Sequence, residues 1–340
     1  MKKMKLFLLK KMSNYKIYYE EVDKMNVTLI LYESKYGTGK IVADTICPVL
    51  GPAKSFDIND APHDIKYYSN IVLVFSMYGH HSCKKILKYI DDNKIDFSKK
   101  RVALVCIGLN KQDGINEINK IKTIINKECI FSEFIKGEMF INKLSSEDKE
   151  KIKAFCSKVG IPFGDLGKLD DSKVLELGKN LIEYFNTPQF IPPANVTKKE
   201  IETFLINKNT CTLATGYGDF VRATPLEYEY YNENLYIISE GGLKFIGLLK
   251  NNQVSICIYE DYKNMNNLCG LQISGEAEIL QPWCEEYLEV FTRKELKIEN
   301  ISKLPFNMNI IKIVPTKYEF LCSKFKNLGF DSKQIYIPKK

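Results

Sequence analysis

Histidine is scarce in this chain: His63, His80 and His81 are the only three in 340 residues. The half beyond residue 195 has none, which disfavours a histidine-ligated haem there. His80 and His81 lie beside Cys83, but adjacent side chains point apart and no further carboxylate or thiol is placed to join them, so no metal site is expected. No apolar run approaches the length that spans a bilayer, so no membrane span is expected. Basic runs interleaved with aromatics are missing too. The net charge of +7 is a small excess of 49 basic over 42 acidic residues, spread as solvated faces, and no nucleic-acid partner is expected. The ten cysteines contain no C-x-x-C pair, and several fall inside apolar strands. They read as reduced core residues of a cytoplasmic protein, neither a disulfide framework nor metal ligands. Residues 1–11 are too briefly apolar for a secretion signal, and residues 1–25 are expected to be an extension outside the folded part.

A chain of this length, 45% hydrophobic and 27% charged, carries enough apolar material for two ordinary cores. From Asn26 onward, β-favouring runs alternate with amphipathic helices. The strands are expected at 27–32, 55–58, 71–75, 102–106 and 130–135, and the helices from about Gly39 and at 82–93, 116–127, 147–159 and 172–186. The first run is apolar on both faces, as in a buried parallel sheet. The pattern predicts an α/β doubly wound five-stranded parallel sheet with ligands at the carboxyl ends of the strands. Three prolines within Thr187–Pro193 cannot continue a helix, so residues 187–194 are expected to link two domains, 26–186 and 195–325, with 326–340 as a tail. Thr197 with Glu200 predicts a capping-box helix start. Beyond it, runs at 211–215, 221–231, 235–239, 254–259, 268–280 and 310–321 are joined by turns at 216–219 and 232–234. They predict an antiparallel barrel.

Two stretches carry candidate chemistry. In the first, a strand runs into Glu33-Ser-Lys-Tyr-Gly-Thr-Gly-Lys40. Ser34 and Thr38 supply hydroxyls, Gly37 and Gly39 permit a tight fold, and free amides open a helix; together they can form an anion nest. The glycine spacing is not that of a Walker loop, and on spacing alone a βα turn that binds nothing fits equally. In the second, Gly218-Asp-Phe-Val-Arg-Ala-Thr-Pro-Leu226 precedes Leu235-Tyr-Ile-Ile-Ser-Glu-Gly-Gly-Leu-Lys244 and Leu248–Val254. Arg222 can clamp phosphate oxygens bidentately, while Ser239 adds a neutral donor and Lys244 a point charge. Each residue taken singly reads as a surface charge.

Resemblance sharpens both sites. Residues 26–186 resemble the flavodoxin superfamily, and within it the branch of menaquinone-dependent protoporphyrinogen oxidase, through Leu31–Thr38, Met77-Tyr-Gly-His80 and Leu109-Asn110. The resemblance implies that Ser34, Lys35, Tyr36, Gly37, Thr38 and Gly39 hold an FMN phosphate, with Met77, Tyr78, Gly79, His80 and Asn110 flanking the isoalloxazine ring. No basic or apolar membrane-docking insert stands between Gly137 and Gly167, so porphyrinogen oxidation and quinone coupling are not carried over. Residues from about 195 to 322 resemble the pyridoxamine 5′-phosphate oxidase-like split barrel. That likeness implies Arg222, Ser239 and Lys244 around a second FMN phosphate, Ala223, Thr224 and Pro225 along its ring, and Gln272 at its polar edge. The segment 312–340 lacks the arginine–histidine pair that holds the eponymous substrate. The expectation is an FMN-dependent oxidoreductase or electron-transfer protein with one or two non-covalent FMN per chain, no catalytic side chain, a small-molecule or protein redox partner, and a homodimer through the split barrel. A carrier without its own substrate, a flavin-free module and a deazaflavin site remain as alternatives.

Overall fold

The computed structural model describes residues 27–78, 83–126 and 130–339. They divide into two compact units, one ending at Asn186 and the other beginning at Thr187. The expected extension 1–25 lies outside the described residues.

The first unit is an open parallel sheet. Its strands are β1 (Thr28–Glu33), β2 (Ala53–Asp57), β3 (Asn70–Ser76), β4 (Arg101–Gly108) and β5 (Phe131–Lys136), in spatial order β2-β1-β3-β4-β5. Successive side chains of a strand point to opposite faces, and here both faces are covered. Leu29, Leu31, Leu73, Phe75, Leu104 and Cys106 pack on one side with Ile86, Ile90, Ile118 and Ile121. Ile30, Val72, Val74, Ala103 and Val105 pack on the other with Val42, Ile46, Leu177 and Leu181. The covering helices are α1 (Thr38–Ile46), α2 (Lys84–Asp92), α3 (Lys94–Lys99), α4 (Lys111–Ile125), α5 (Ser146–Val159) and α6 (Asp171–Asn186), and the two-residue strands β6 (Glu138–Met139) and β7 (Leu166–Gly167) pair beside the sheet. α4 begins five residues before the expected 116, because the Asn110 side chain caps it by accepting from the Gln112 and Asp113 amides. It also sits close on the sheet: a Cβ added at Gly114 would lie 2.4 Å from the Phe134 ring.

The second unit opens with α7 (Ala194–Ile206). The expected capping box is corrected here: Pro193 is the N-cap, Thr197 is buried within the first turns, and the Val196 and Thr197 amides both donate to the Pro193 carbonyl. The proline's fixed φ prepares the chain for a helix four residues earlier than the Thr-x-x-Glu pattern indicates. Residues 189 and 190 are tied within this unit, both amides donating to Asp331.

One antiparallel sheet follows, of β8 (Thr210–Tyr217), β9 (Phe220–Glu227), β10 (Glu229–Tyr231), β11 (Asn234–Ser239), β12 (Gln253–Tyr259), β13 (Cys269–Ile279), β14 (Asn309–Cys322) and β15 (Lys333–Tyr336). The order is β10-β11-β14-β13-β12-β8-β9, with β15 on β14. β9 curls near β11 without forming a ladder, which leaves the barrel split. Its interior is apolar, built from Leu213, Ile237, Ile256, Ile273, Ile313 and Phe320 among others. The expected single strand 221–231 breaks at Tyr228, which is buried and donates its hydroxyl proton to the Leu205 carbonyl. The segment 326–340, read from sequence as a tail, carries β15. Helices α8 (Lys244–Leu248), α9 (Glu285–Arg293), α10 (Ile298–Ile301) and α11 (Ser323–Asn327) fill the connections. α9 was not expected, and it builds a small core of its own from Tyr287, Val290 and Phe291. Among the described residues no helix is long and apolar enough to cross a membrane.

Candidate functional site

In the first unit the β1–α1 turn lies at the carboxyl end of β1, beside β3, where the strand order reverses. Open α/β sheets have their ligand crevice at such a point. Gly37 stands at φ +94°, in the left-handed region that favours glycine. Ser34 Oγ accepts from the Gly37 amide at 3.1 Å and the Gly39 amide at 3.0 Å, which folds the loop back over the strand end. No carboxylate occupies the first turn of α1, so its positive end is not offset locally. A Cβ at Gly39 would meet Ser34 Cβ at 2.9 Å and Ser76 Oγ at 3.3 Å. Ser76 Oγ is itself buried with no protein partner.

Tyr78, from the loop after β3, comes to this turn and accepts from the Lys35 amide through its hydroxyl at 2.6 Å. Its ring meets that of Tyr36 edge-on, 5.8 Å between centroids. Tyr36 and Lys35 are drawn toward α5: the Tyr36 hydroxyl hydrogen-bonds Asp148, and Lys35 Nζ lies 2.6 Å from the same carboxylate. The Lys35 hydrogen bond first, and that of Tyr36 second, hold the Asp148 carboxyl below its usual range. Lys35 is therefore a strut to α5, not a free cation. Asp148 was missed from sequence because it stands over a hundred residues away, in a segment that reads only as a helix start. Met77 follows β3, its amide donating to the Ile107 carbonyl, and Thr38 is buried at the start of α1. Asn110 lies on the neighbouring loop after β4, but its side-chain oxygen is engaged in capping α4. The expected Gly79 and His80 lie outside the described residues.

In the second unit, register decides which side chains share a face. Directly opposed residues of an antiparallel pair point the same way. Arg222 faces Thr215 and Thr224 faces Leu213, whereas Ala223 faces Ala214 and Pro225 faces Thr212. Leu213 is fully buried, so Arg222 and Thr224 stand on the inner side of the curl, and Ala223 and Pro225 on the outer. Ser239 ends β11, its Oγ accepting from the Gly241 amide at 3.1 Å. Gly241 and Gly242, at φ +145° and +111°, turn the chain into α8. There Lys244 is only 6% exposed and donates to the Gly241 carbonyl at 2.5 Å. α8 is seated on the strand: a Cβ at Gly247 would lie 2.9 Å from both the Gly216 amide nitrogen and Thr215 Cβ.

Burial chiefly pushes the Lys244 ammonium below the ordinary lysine range; Glu240 opposes it in part, and the nearby Arg222 guanidinium adds a smaller push downward. Among the described residues neither Arg222 nor Lys244 has an ion pair, although lysines elsewhere pair with carboxylates, Lys35 with Asp148 and Lys333 with Glu319 among them. Thr215 Oγ1 and Thr224 Oγ1, which flank Arg222 across and along the strands, are buried without hydrogen-bond partners. Buried polar groups are normally satisfied. Arg222 and Lys244, without ion pairs, and two orphaned hydroxyls are groups that could receive a compact anion such as a phosphate ester. Thr215 was not anticipated, since only the register brings it opposite Arg222. Gln272 requires a correction: it pairs with Cys257, which pairs with Thr212, so it continues the outer row that begins at Pro225. A single chain does not bring it to Arg222, Ser239 and Lys244, because it lies three strands away on the opposite face.

The flavodoxin-domain family model matches residues 29–160, and the pyridoxamine 5′-phosphate oxidase family model matches residues 197–322. The chain joins a flavodoxin-like domain to a pyridoxamine 5′-phosphate oxidase-like domain. Both families point to a flavin cofactor. No curated protein matches the chain. Solved structures with similarity include an FAD-binding protein from Mesorhizobium loti, at 18% identity over 36% of this chain and 89% of that one, with a TM-score of 0.30. HutZ, the haem storage protein of Vibrio cholerae, matches at 19% identity over 35% and 89%, with a TM-score of 0.30. ChuZ of Campylobacter jejuni matches at 18% over 52% and 74%, with a TM-score of 0.35.

Proposed function

We propose that this flavodoxin-like and split-barrel chain is a cytoplasmic FMN-dependent oxidoreductase or electron-transfer protein, with one or two non-covalent FMN sites and a small-molecule or protein redox partner. The observation that carries the reading is the corner where Arg222 and buried Lys244 have no ion pair among the described residues while the Thr215 and Thr224 hydroxyls lack partners. A dianionic phosphate supplies what all four require. Bound flavin would supply hydride and single-electron chemistry; the protein's part is to anchor the phosphate, orient the ring and exclude water. In the first unit the loop from Ser34 to Gly39, closed by Tyr78, is the corresponding anchor. A homodimer belongs to the same proposal, since Val221 and Tyr217 are exposed apolar residues on the strands that carry Arg222 and Thr215.

The reading is tested by titrating apoprotein with FMN and with riboflavin, which lacks the phosphate, and following fluorescence. Charge-assisted hydrogen bonds contribute about 1.5–3 kcal/mol each, so FMN is expected to bind at least about tenfold more tightly. Lys244 gives the pH dependence. Its ammonium is the form that attracts phosphate, and its pKa is depressed. Affinity in the second unit therefore falls as pH rises, through a range below that of ordinary lysines. Equal affinities for FMN and riboflavin would remove the phosphate anchor and the proposal with it.

A further inference from the structure

Two thiols that the flavin reading does not use are brought together by the sheet. Cys269 opens β13 and Cys322 closes β14, and they are direct partners in the register. Antiparallel partners alternate between pairs that exchange hydrogen bonds and pairs that do not, and the latter have the closer Cα atoms, about 4.5 Å apart. Cys269 and Cys322 are of the second kind. The Ser323 amide donates to the Leu268 carbonyl across the ladder, the Cys322 amide turns outward to the Ser332 carbonyl, and the Cys269 carbonyl accepts from Glu260. That spacing lies within the range a disulfide requires, about 4.4–6.8 Å. The side chains have met: Cys269 Sγ donates to Cys322 Sγ at 3.0 Å. Cys269 is partly exposed and Cys322 buried.

The surroundings favour one thiolate. The Cys269 S–H bond lowers the Cys322 thiol to about 7, aided by the Lys324 amide and ammonium against burial and Glu200, while Cys269 is correspondingly raised. The charged groups facing the pair are Lys324, paired with Glu200 at 2.6 Å, and Glu260, paired with Lys208 at 3.2 Å. Each carboxylate is thus offset by its own lysine. A thiolate near neutrality beside a second thiol is the arrangement that exchanges with disulfides.

We propose that Cys269 and Cys322 are a redox-active dithiol that a low-molecular-weight disulfide converts to an intramolecular Cys269–Cys322 bond. One thiolate of the pair attacks a sulfur of the small disulfide, whose S–S bond breaks and whose leaving thiolate takes up a proton. The second cysteine, giving its proton to solvent, attacks the mixed disulfide and expels the other small thiol. The protein loses two electrons, the small disulfide gains two, and two small thiols are released. The bond staples the end of β13 to the end of β14, and none of this depends on flavin.

Reduced full-length protein is incubated with glutathione disulfide, quenched in acid, alkylated and mapped by mass spectrometry. The expected product links the peptide of Cys269 to that of Cys322 with loss of two hydrogens, fragmentation separating Cys269 from Cys284 on the tryptic peptide 264–293. In the native reduced protein, alkylation of Cys322 is expected to show a midpoint near pH 7, moving upward in a Cys269→Ala variant that keeps its circular dichroism. Recovery of both cysteines as separately alkylated thiols under excess glutathione disulfide, or as mixed disulfides only, overturns the proposal. So does a Cys322 midpoint unmoved by Cys269→Ala.

Discussion

The double variant Arg222→Ala/Lys244→Met is expected to lose flavin from the second unit and keep it in the first. Two charge-assisted contacts at about 1.5–3 kcal/mol each correspond to an affinity lower by about 10²–10⁴-fold. The fold is expected to tolerate the change. Arg222 is exposed and without an ion pair among the described residues, and burial, more than Arg222, pushes the Lys244 ammonium below its ordinary range against the pull of Glu240. A depressed lysine pKa means that the unfolded chain binds the proton more tightly, so at neutral pH the buried charge opposes folding. Replacing it with the apolar, similarly shaped methionine removes that cost, offset by the lost hydrogen bond to Gly241. The thermal midpoint of the apoprotein is therefore expected to stay level or rise while flavin binding falls. A lower midpoint with flavin binding intact would assign both residues to the scaffold alone. Flavin released per chain, with a urea or thermal scan on the same preparation, reads both quantities.

The second large effect is expected from Gly39→Ala. One methyl group at this position would stand 2.9 Å from Ser34 Cβ, 3.2 Å from Ser34 Oγ and 3.3 Å from Ser76 Oγ, inside ordinary contact distance. Ser34 is the residue whose hydroxyl gathers the Gly37 and Gly39 amides. It has no route away without releasing both. The loop is expected to open and the nest to disperse, costing the first unit at least tenfold in FMN affinity, which follows from loss of one charged contact at about 1.5–3 kcal/mol. Ser34→Ala, which removes the hydroxyl without adding bulk, is expected to weaken binding less. Titration of both variants in the Arg222→Ala/Lys244→Met background isolates the first site. Affinity unchanged by Gly39→Ala would show that the loop is a βα turn and nothing more.

The parallel sheet was legible because each of its central strands is apolar on both faces, as Leu29, Ile30 and Leu31 illustrate by entering opposite cores. The split barrel was legible through turns: Asn232 and Glu233 at positive φ join β10 to β11, and Gly218 joins β8 to β9. Local competition misled at two places. Thr197 and Glu200 have the spacing of a capping box, but Pro193 starts the helix first. The pattern around Asn116 hid an earlier start because Asn110 was read as a ring neighbour, not a cap.

Of the candidate sites, residues close in sequence were recoverable and those joined only by the fold were not. Ser34 to Gly39 form one turn, and Ser239 to Lys244 form another. Asp148 reaches Lys35 and Tyr36 across the unit, Thr215 meets Arg222 by strand register, and the Cys269–Cys322 contact needs β13 and β14 to pair in one alignment. Gln272 fails for the same reason in reverse. Its face is set by three consecutive strand pairings, and a shift of one residue in any of them would have moved it to the other side.

The most direct measurement is the flavin content of the purified full chain, read from its visible absorbance and from the flavin released on acid precipitation. The account predicts FMN at one or two per chain, with apoprotein regaining it from excess FMN. A colourless protein that takes up no FMN would contradict it.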